Sequence, residues 1–138
     1  MNYVEKCLYD YPDNIALIEA LNIELQLLSS VHGLSYEAHA INSISDPVAM
    51  VTTRIMSLER KITKMVNRTR PVERLLDDFR YKTTSRISQM DLILRLRYFK
   101  KQSVNDVLRQ GAISYPTYWR RNQELLQLAR KYLAEQSA

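Results

Sequence analysis

Apolar residues recur at helical spacing along most of this chain. In the first third, Ile18, Leu21, Leu25 and Leu28 are separated by three, four and three residues. This spacing places all four side chains on one side of a helix. A second helix can begin at Asp46-Pro47, because aspartate caps a first turn and proline fits its first position.

A longer apolar stripe begins there and needs a surface to cover it. It comprises Val48, Val51, Ile55, Leu58, Ile62 and Met65. The shorter stripe is the available partner, so we predict an antiparallel helical hairpin. The same periodicity also fits packing against a second subunit, which leaves a homo-oligomer as an alternative to packing within one chain.

Four segments are predicted to break the helices. Asp10-Tyr11-Pro12 and Arg70-Pro71 should each interrupt a helix, because the residue before a proline is driven out of the helical conformation. Residues 29–45 lack apolar periodicity and are predicted to form a loop or linker. Residues 82–85 are polar and form the predicted hinge between two regions of the chain.

The regions on either side of this hinge are residues 1–82, the helical hairpin, and residues 83–138, for which the pattern predicts three helices. Ser88 and Asp91 can cap the first of the three. It should end at Lys100-Lys101, where cations complement the helix dipole. Its apolar face consists of Leu92, Ile93, Leu94, Leu96, Tyr98 and Phe99.

The second of these helices is short. Ser103 can cap it, with the Asp106 carboxylate bonding back to the Ser103 backbone in a capping box. Gly111 is predicted to end it as a left-handed cap. The residues predicted to be buried are Val104, Val107 and Leu108.

The third helix completes a helix–turn–helix pattern, in which the second helix of the pair enters the major groove of DNA. Ser114 can cap this third helix, and Pro116 fits its first turn. Helical spacing predicts an inward stripe of Tyr118, Leu125, Leu128 or Ala129, and Tyr132 or Leu133.

Polar and aromatic residues cluster over the first turns of the third helix, mostly off its inward stripe. Arginine can donate two hydrogen bonds to guanine, and glutamine can pair similarly with adenine. The candidate DNA-binding residues on this helix are Tyr115, Thr117, Trp119, Arg120, Arg121 and Gln123. Arg97, Lys100 and Lys101 are better suited to phosphate contacts, and Ser103 completes the candidate set.

Two of these residues have a second interpretation. Trp119 can belong to the core, or it can stack against DNA or grip a protein at the surface. We expect partial burial, because large aromatic residues usually fill small domains. Arg121 can pair with Glu124 or Asp106 instead of contacting DNA.

The charge distribution favours a nucleic-acid partner for the C-terminal part of the chain. Residues 1–53 hold one basic and seven acidic residues, a charge of −6, whereas residues 54–138 hold 19 basic and eight acidic residues, a charge of +11. The two sum to the net charge of +5. A basic region supplies sequence-independent affinity for phosphates, although cationic surfaces also occur in proteins that bind no nucleic acid.

Short motifs along the chain give a resemblance to a known family. LRLRYF, SVNDVL, AIS and TYWRR in the C-terminal part are similar to the helix–turn–helix of sigma factor region 4. With YVEKCLYDYPDNIALIEALNIEL and DPVAMVTTRIMSLERKITKM, nearly the whole chain resembles the RinA/ArpU group of phage transcriptional regulators. The resemblance implies activation of phage late or packaging genes, with the host RNA polymerase as a partner.

Three positions depart from the sigma-like pattern. Leu108 stands where a small alanine is expected, and Asp106 replaces a glutamate. The glycine of the turn is Ala112, with Gly111 one place early. These departures are expected to affect the angle between the two helices or the register of the turn.

Other kinds of site have little support in the sequence. Cys7 is the only cysteine, so we expect no intramolecular disulfide and a cytoplasmic location. His32 and His39 lack further ligands at zinc-like spacing, and we expect neither a metal nor another cofactor. The adjacent Asp77 and Asp78 have no third carboxylate at a matching spacing, so a catalytic site is not expected there.

A membrane span is not expected either, because the longest uncharged run has 12 residues, from Leu25 to Tyr36. The sequence therefore predicts an all-α, sequence-specific regulator that binds double-stranded DNA and is not an enzyme. The competing interpretation is a helical adaptor or small packaging subunit that grips a protein partner. A DNA reader should lose its sequence preference when Arg120 or Gln123 is truncated, whereas an adaptor has no such preference to lose.

Overall fold

The structure is a computed structural model that describes residues 1–42, 46–81 and 84–137. Within these ranges the chain is helical, with no strand, and the all-α prediction is confirmed. The helices are α1 (Tyr3–Asn42), α2 (Asp46–Tyr81), α3 (Ser85–Ile93), α4 (Val104–Gly111) and α5 (Tyr115–Ser137). A π-helical turn, Leu94–Phe99, continues directly from α3.

The chain divides into two compact units. The terminal unit comprises Met1–Asn14 and Arg68–Ala138, and the central unit comprises Ile15–Asn67. The first turns of α1 and the last turns of α2 thus belong with α3, α4 and α5, although the sequence grouped them with the predicted hairpin. Two of the residues at the predicted hinge, 82 and 83, lie outside the described part of the chain.

The terminal unit has one continuous apolar core to which all five helices contribute. Val4 and Leu8 enter it from α1, and Val72, Leu75 and Phe79 enter it from α2. The remaining buried members are Met90, Ile93, Leu94, Tyr98, Val107, Tyr118, Leu125, Leu126, Ala129 and Tyr132. A core built from both ends of the chain stabilises the unit through contacts that are distant in sequence.

Both prolines that were predicted to end helices lie inside them. Pro12 is within α1 and Pro71 is within α2, so these two predictions are wrong. A proline inside a helix removes one backbone hydrogen bond, but buried neighbours hold the helix on either side. Leu8 is fully buried before Pro12, and Tyr11 stacks on Phe99 with 5.2 Å between ring centroids.

The predicted loop over residues 29–45 is wrong for residues 29–42, because α1 continues to Asn42. Residues 43–45 lie outside the described part of the chain, as do the side chains of residues 31–47, among them both histidines. Residues 29–42 contain no proline, the residue that opposes a helix interior most strongly, so a helix can continue there although apolar periodicity is weak. The start of α2 at Asp46 agrees with the prediction.

The first helix of the C-terminal part begins earlier than predicted. Thr84, and not Ser88, caps α3, and its hydroxyl accepts a hydrogen bond of 3.2 Å from the Ile87 N–H. The helical run ends at Lys100, as predicted. Lys101 then adopts a left-handed conformation with φ of 58°.

The central unit has a thin apolar interior. The predicted stripes of α1 and α2 provide its protected positions, and its fully protected apolar side chains among the described residues are Leu21, Leu58 and Met65. An ion pair of 2.6 Å between Glu24 and Arg54 joins the two helices within this unit. The hairpin arrangement itself stays a prediction.

Candidate DNA-binding surface

The predicted turn between the last two helices has the expected caps. The Ser103 hydroxyl accepts from the Asp106 N–H at 3.2 Å at the start of α4, and the Ser114 hydroxyl accepts from the Thr117 N–H at 3.3 Å at the start of α5. Asp106 was predicted to bond back to Ser103, but its carboxylate accepts from Arg109 at 3.0 Å. Each cap satisfies an N–H group that would otherwise be free at the helix end.

Gly111 was predicted to be the left-handed cap of α4, and this is wrong. Gly111 is the last helical residue, and Ala112 takes the left-handed conformation with φ of 51°. The N–H groups of Ala112 and Ile113 both bond the Leu108 carbonyl, which closes the helix end. Gly111 serves another purpose, since a Cβ there would lie 2.6 Å from Leu92 Cδ2. The absence of a Cβ leaves room there for this Leu92 methyl group.

The orientation of α5 is set by a buried hydrogen bond to the π-helical turn. The Tyr98 hydroxyl donates to Asn122 Oδ1 at 2.7 Å, and both side chains are buried. Burial raises the pKa of Tyr98 above its ordinary value, because the charged form would lose its hydration. Burial also raises the pKa of Tyr118, the neighbouring tyrosine of α5. The sequence did not reveal that Asn122 belongs to the inward face.

The inward face of α5 resolves the alternatives left open by helical spacing. It consists of Tyr118, Asn122, Leu125, Leu126, Ala129 and Tyr132. The Tyr132 hydroxyl donates to the Asp78 carboxylate on α2, and Arg74 lies over the Tyr132 ring at 4.2 Å. These contacts fix one side of α5 against the rest of the terminal unit and leave the opposite side in solvent.

That opposite side carries two of the predicted base-reading residues. Arg120 and Gln123 are exposed. Arg120 has no hydrogen bond or ion pair with any residue in the described part of the chain. An exposed guanidinium with no internal partner keeps all its donors available to a ligand.

Exposed residues beyond the predicted set extend this surface. Gln127 lies seven residues after Arg120 and four after Gln123, so all three share one face of α5. Arg130 and Lys131, both exposed, continue it by another turn. The same helical spacing could have identified Gln127 from the sequence. We define the α5 outer face as Arg120, Gln123, Gln127, Arg130 and Lys131.

The predicted aromatic residues form a pair beside this face. Tyr115 is 53% exposed and Trp119 is 46% exposed, and their rings meet edge to face with centroids 6.2 Å apart. Trp119 was expected to be partly buried, and about half of it is covered while the rest contributes a large exposed surface. Thr117, by contrast, is partly buried and its hydroxyl accepts from Ser114 at 2.9 Å.

Arg121 faces the interior of the terminal unit, in agreement with the alternative that paired it with Glu124. Its Nε donates to Gln89 at 2.8 Å, and its guanidinium lies 3.2 Å from the Glu124 carboxylate. Arg86 contacts the same carboxylate at 3.2 Å. With its side chain mostly buried in this network, Arg121 fastens α5 to α3.

The predicted phosphate contacts differ in availability. Lys100 is exposed, whereas Arg97 is partly buried and donates to the Gln102 carbonyl at 2.9 Å. Lys101 donates to the Tyr9 carbonyl at 2.9 Å and lies 4.2 Å from the centroid of the Tyr9 ring. It therefore holds the first turns of α1, and these contacts offset the cost of its left-handed backbone.

A small pocket of about 190 Å³ lies beside the aromatic pair. Its lining includes Met1, Glu5, Arg97, Tyr115, Trp119 and Gln123. The described residues contain no group of three or more histidine, cysteine or acidic side chains arranged to hold a metal ion. No helix in the described ranges is long and apolar enough to cross a membrane.

In comparisons with known proteins, no protein-family model, curated protein or solved structure matches this chain.

Proposed function

We propose that this protein binds double-stranded DNA with sequence preference by placing the first turns of α5 in the major groove. The observation that carries the proposal is the α5 outer face, where the unpartnered Arg120 lies on the same side as Gln123 and Gln127. Arginine and glutamine are the side chains best suited to bidentate contacts with guanine and adenine. Their backbone is held in place by the Ser114 cap and the Tyr98–Asn122 hydrogen bond.

The side chains of this surface are proposed to contact either bases or phosphates, according to their chemistry. Arg120, Gln123 and Gln127 are the base-reading candidates, and Lys100, Arg130 and Lys131 are exposed cations suited to phosphates. Arg97, Lys101 and Arg121 hold the terminal unit together. The proposed interface thus contains fewer cations than the sequence alone indicated, and it extends further along α5.

The resemblance to phage regulators extends the proposal to a biological role. It implies that the bound DNA controls late or packaging genes and that the protein acts there as an activator, with host RNA polymerase as its partner. This role rests on the resemblance, and the capped turn between α4 and α5 and the exposed polar face of α5 support only its DNA-binding part.

The experiment that tests DNA recognition is selection of bound duplexes from a randomised DNA pool, followed by affinity measurements on the recovered sequence. We expect a defined motif, with each correct base pair contributing on the order of 1–3 kcal/mol of discrimination. Recovery of unrelated sequences with equal affinity would refute sequence-specific recognition.

Charge-matched variants sharpen this test. Arg120→Lys keeps the charge but replaces the planar fork of the guanidinium with a compact ammonium group, so it should relax the preference at one base pair while the salt dependence of binding stays nearly unchanged. Lys131→Ala is the complementary control, because a lost phosphate contact should weaken all sequences alike and reduce the salt slope by about 1. Identical effects of the two variants would contradict the proposed division of roles.

A second candidate function, a protein-binding adaptor, is favoured by the exposed Tyr115–Trp119 pair. Tyrosine and tryptophan are enriched at protein interfaces, and the pocket beside this pair offers a recess for a partner's side chain. Titration of purified bacterial RNA polymerase into labelled protein tests it. An adaptor should lose at least about tenfold in affinity in Trp119→Ala but not in Gln127→Ala. No measurable polymerase binding would count against this partner.

A further inference from the structure

The central unit exposes a second apolar stripe on α1, on the side of the helix opposite the stripe that faces inward. We define the outer stripe as Ala16, Ala20, Ile23 and Leu27, which are exposed at spacings of four, three and four residues. Ile23 is 58% exposed and Leu27 is 61% exposed. The inward stripe of Leu21 and its neighbours lies about 150° away around the helix at 100° per residue.

A helix that is apolar on two opposite sides is normally covered on both. Within the central unit, Leu21 on the inward side of α1 is buried, and Glu24 of α1 pairs with Arg54 of α2. The exposed side of α2 carries charged residues, including Arg60 and Lys64, together with the isolated methionines Met50 and Met56. Among the described residues of this unit, the outer stripe of α1 is a continuous exposed apolar surface that calls for a partner.

We propose that a second copy of this chain covers the outer stripe, with the two α1 helices antiparallel about a two-fold axis near Leu21 and Asn22. This arrangement places Ala16 opposite Leu27 of the second copy and Ala20 opposite Ile23 of the second copy. Every small side chain then faces a large one, so the two surfaces interlock. A two-fold interface requires such self-complementarity, because the same patch serves both copies.

The charges beside the stripe select the antiparallel orientation. Glu19 and Glu24 flank the stripe on opposite sides, accompanied by Gln26 and Leu17 respectively. In the antiparallel pair Glu19 faces Gln26 of the second copy, and Glu24 faces Leu17 of the second copy. A parallel pair would bring Glu19 against Glu24 of the other helix, five residues on, where only the Arg54 that pairs with Glu24 would offset the repulsion of like charges.

The first test is the oligomeric state of the full chain, measured without DNA by sedimentation equilibrium up to about 100 µM, a range that detects a micromolar dimer. We expect a monomer–dimer equilibrium. Ile23→Glu should weaken it at least about 100-fold, because the two-fold axis introduces the buried charge twice. Met50→Glu, at an exposed methionine of α2 in the same unit, is the matched control and should leave association unchanged.

A swap of small and large residues tests the register. Ala20→Ile alone should weaken the dimer because two isoleucines then collide, and Ile23→Ala alone should weaken it because two alanines leave a gap. We expect a loss of about tenfold for each, and the double variant should return to within about threefold of the wild type, since contacting residues couple. Helical circular dichroism should stay the same for all variants, as both positions are exposed.

Three results would overturn the proposal: a wild-type protein that stays monomeric, an Ile23→Glu variant that associates normally, or a double variant that fails to recover. A monomeric wild type would assign the outer stripe to a partner of another kind. Tighter association by Ala20→Ile alone would indicate unspecific apolar contact and would also contradict the pairing. None of these outcomes bears on DNA recognition by α5, because the measurement contains no DNA.

Discussion

The terminal and central units are built partly from the same two helices, yet they bury them to different extents. In the terminal unit, the ends of α1 and α2 pack into a core of 15 buried residues shared with α3, α4 and α5. Among the described residues of the central unit, the same helices protect few large side chains, and Leu27 and Met50 are largely exposed. Equal regularity of apolar spacing in a sequence thus does not imply equal burial.

The difference has a consequence for how each unit can be used. A fully packed unit can hold an interface rigidly, as the Tyr98–Asn122 hydrogen bond and the Arg121 network hold α5. A unit with uncovered apolar surface is suited to association. The terminal unit is therefore the proposed DNA reader, and the central unit is the proposed dimerisation element.

The largest expected difference in stability comes from a leucine-to-alanine substitution made once in each unit, both on α2. Leu75 is 0% exposed in the terminal core and Leu58 is 1% exposed in the central unit. Leu75→Ala should lower the free energy of unfolding by about 4 kcal/mol and Leu58→Ala by about 2 kcal/mol, because a dense core collapses less readily around a cavity. Urea unfolding measures both values. Equal losses would show that the two interiors are packed alike.

The next largest effect concerns the buried polar contact that orients α5. Tyr98→Phe should cost about 1–3 kcal/mol, because it leaves Asn122 Oδ1 buried without its donor. Asn122→Leu, which removes the partner amide as well, serves as a second variant in a double-mutant cycle. If Tyr98→Phe were as stable as the wild type, this hydrogen bond would not be what fixes α5.

The burial of Tyr98 predicts that the stability of the terminal unit depends on pH. Burial raises the pKa of Tyr98 in the folded protein above the ordinary value of 10.0, so the unfolded state loses this proton first. Stability from this group is complete below pH 10 and is lost as the pH rises through the folded pKa. Tyr98→Phe should make the alkaline loss of stability shallower, with Tyr118 responsible for part of what remains. An unchanged alkaline profile would contradict this role.

A smaller effect is expected at the turn between α4 and α5. Ala112→Gly should stabilise the protein by about 0.5–1 kcal/mol, because glycine adopts the left-handed conformation of this position without steric cost. Ala134→Gly, in the last turn of α5, is the control and should instead destabilise by up to about 1 kcal/mol. Thermal unfolding distinguishes the two signs. Destabilisation at both positions would indicate another turn conformation.

The smallest effect is expected in the central unit, at the ion pair between Glu24 and Arg54. Both side chains are about half exposed, so water and salt screen their attraction. Glu24→Gln should change the unfolding free energy by no more than about 0.5 kcal/mol, and the change should vanish at high salt. A larger, salt-resistant loss would mean that this contact holds the central unit together.

Local signals predicted much of the fold correctly. The serine caps at Ser103 and Ser114, the helix end at Lys100 and the apolar stripes follow from interactions within a few residues. Pro12 and Pro71 misled the same reasoning, because contacts with distant residues hold the helices together around them. Gly111 was misassigned for the same reason, since its role depends on Leu92 in another helix.

The candidate site was predicted less completely. Exposure of Arg120 and Gln123 follows from helical spacing, and so would that of Gln127. Spacing could not show that Lys101 contacts Tyr9 or that Arg121 contacts Gln89, because those partners are 92 and 32 residues away. Which cations are free and which are structural depends on packing that only the folded chain defines.

DNA recognition by the α5 outer face is tested most directly by a footprint of the purified protein on the DNA that flanks its own gene. The measurement is made at about 150 mM salt, where non-specific phosphate binding is weak. We predict a discrete protected site for the wild type and a loss of that site in Arg120→Ala. Diffuse protection that disappears as the salt concentration rises, equally in both proteins, would contradict the proposed recognition of DNA sequence.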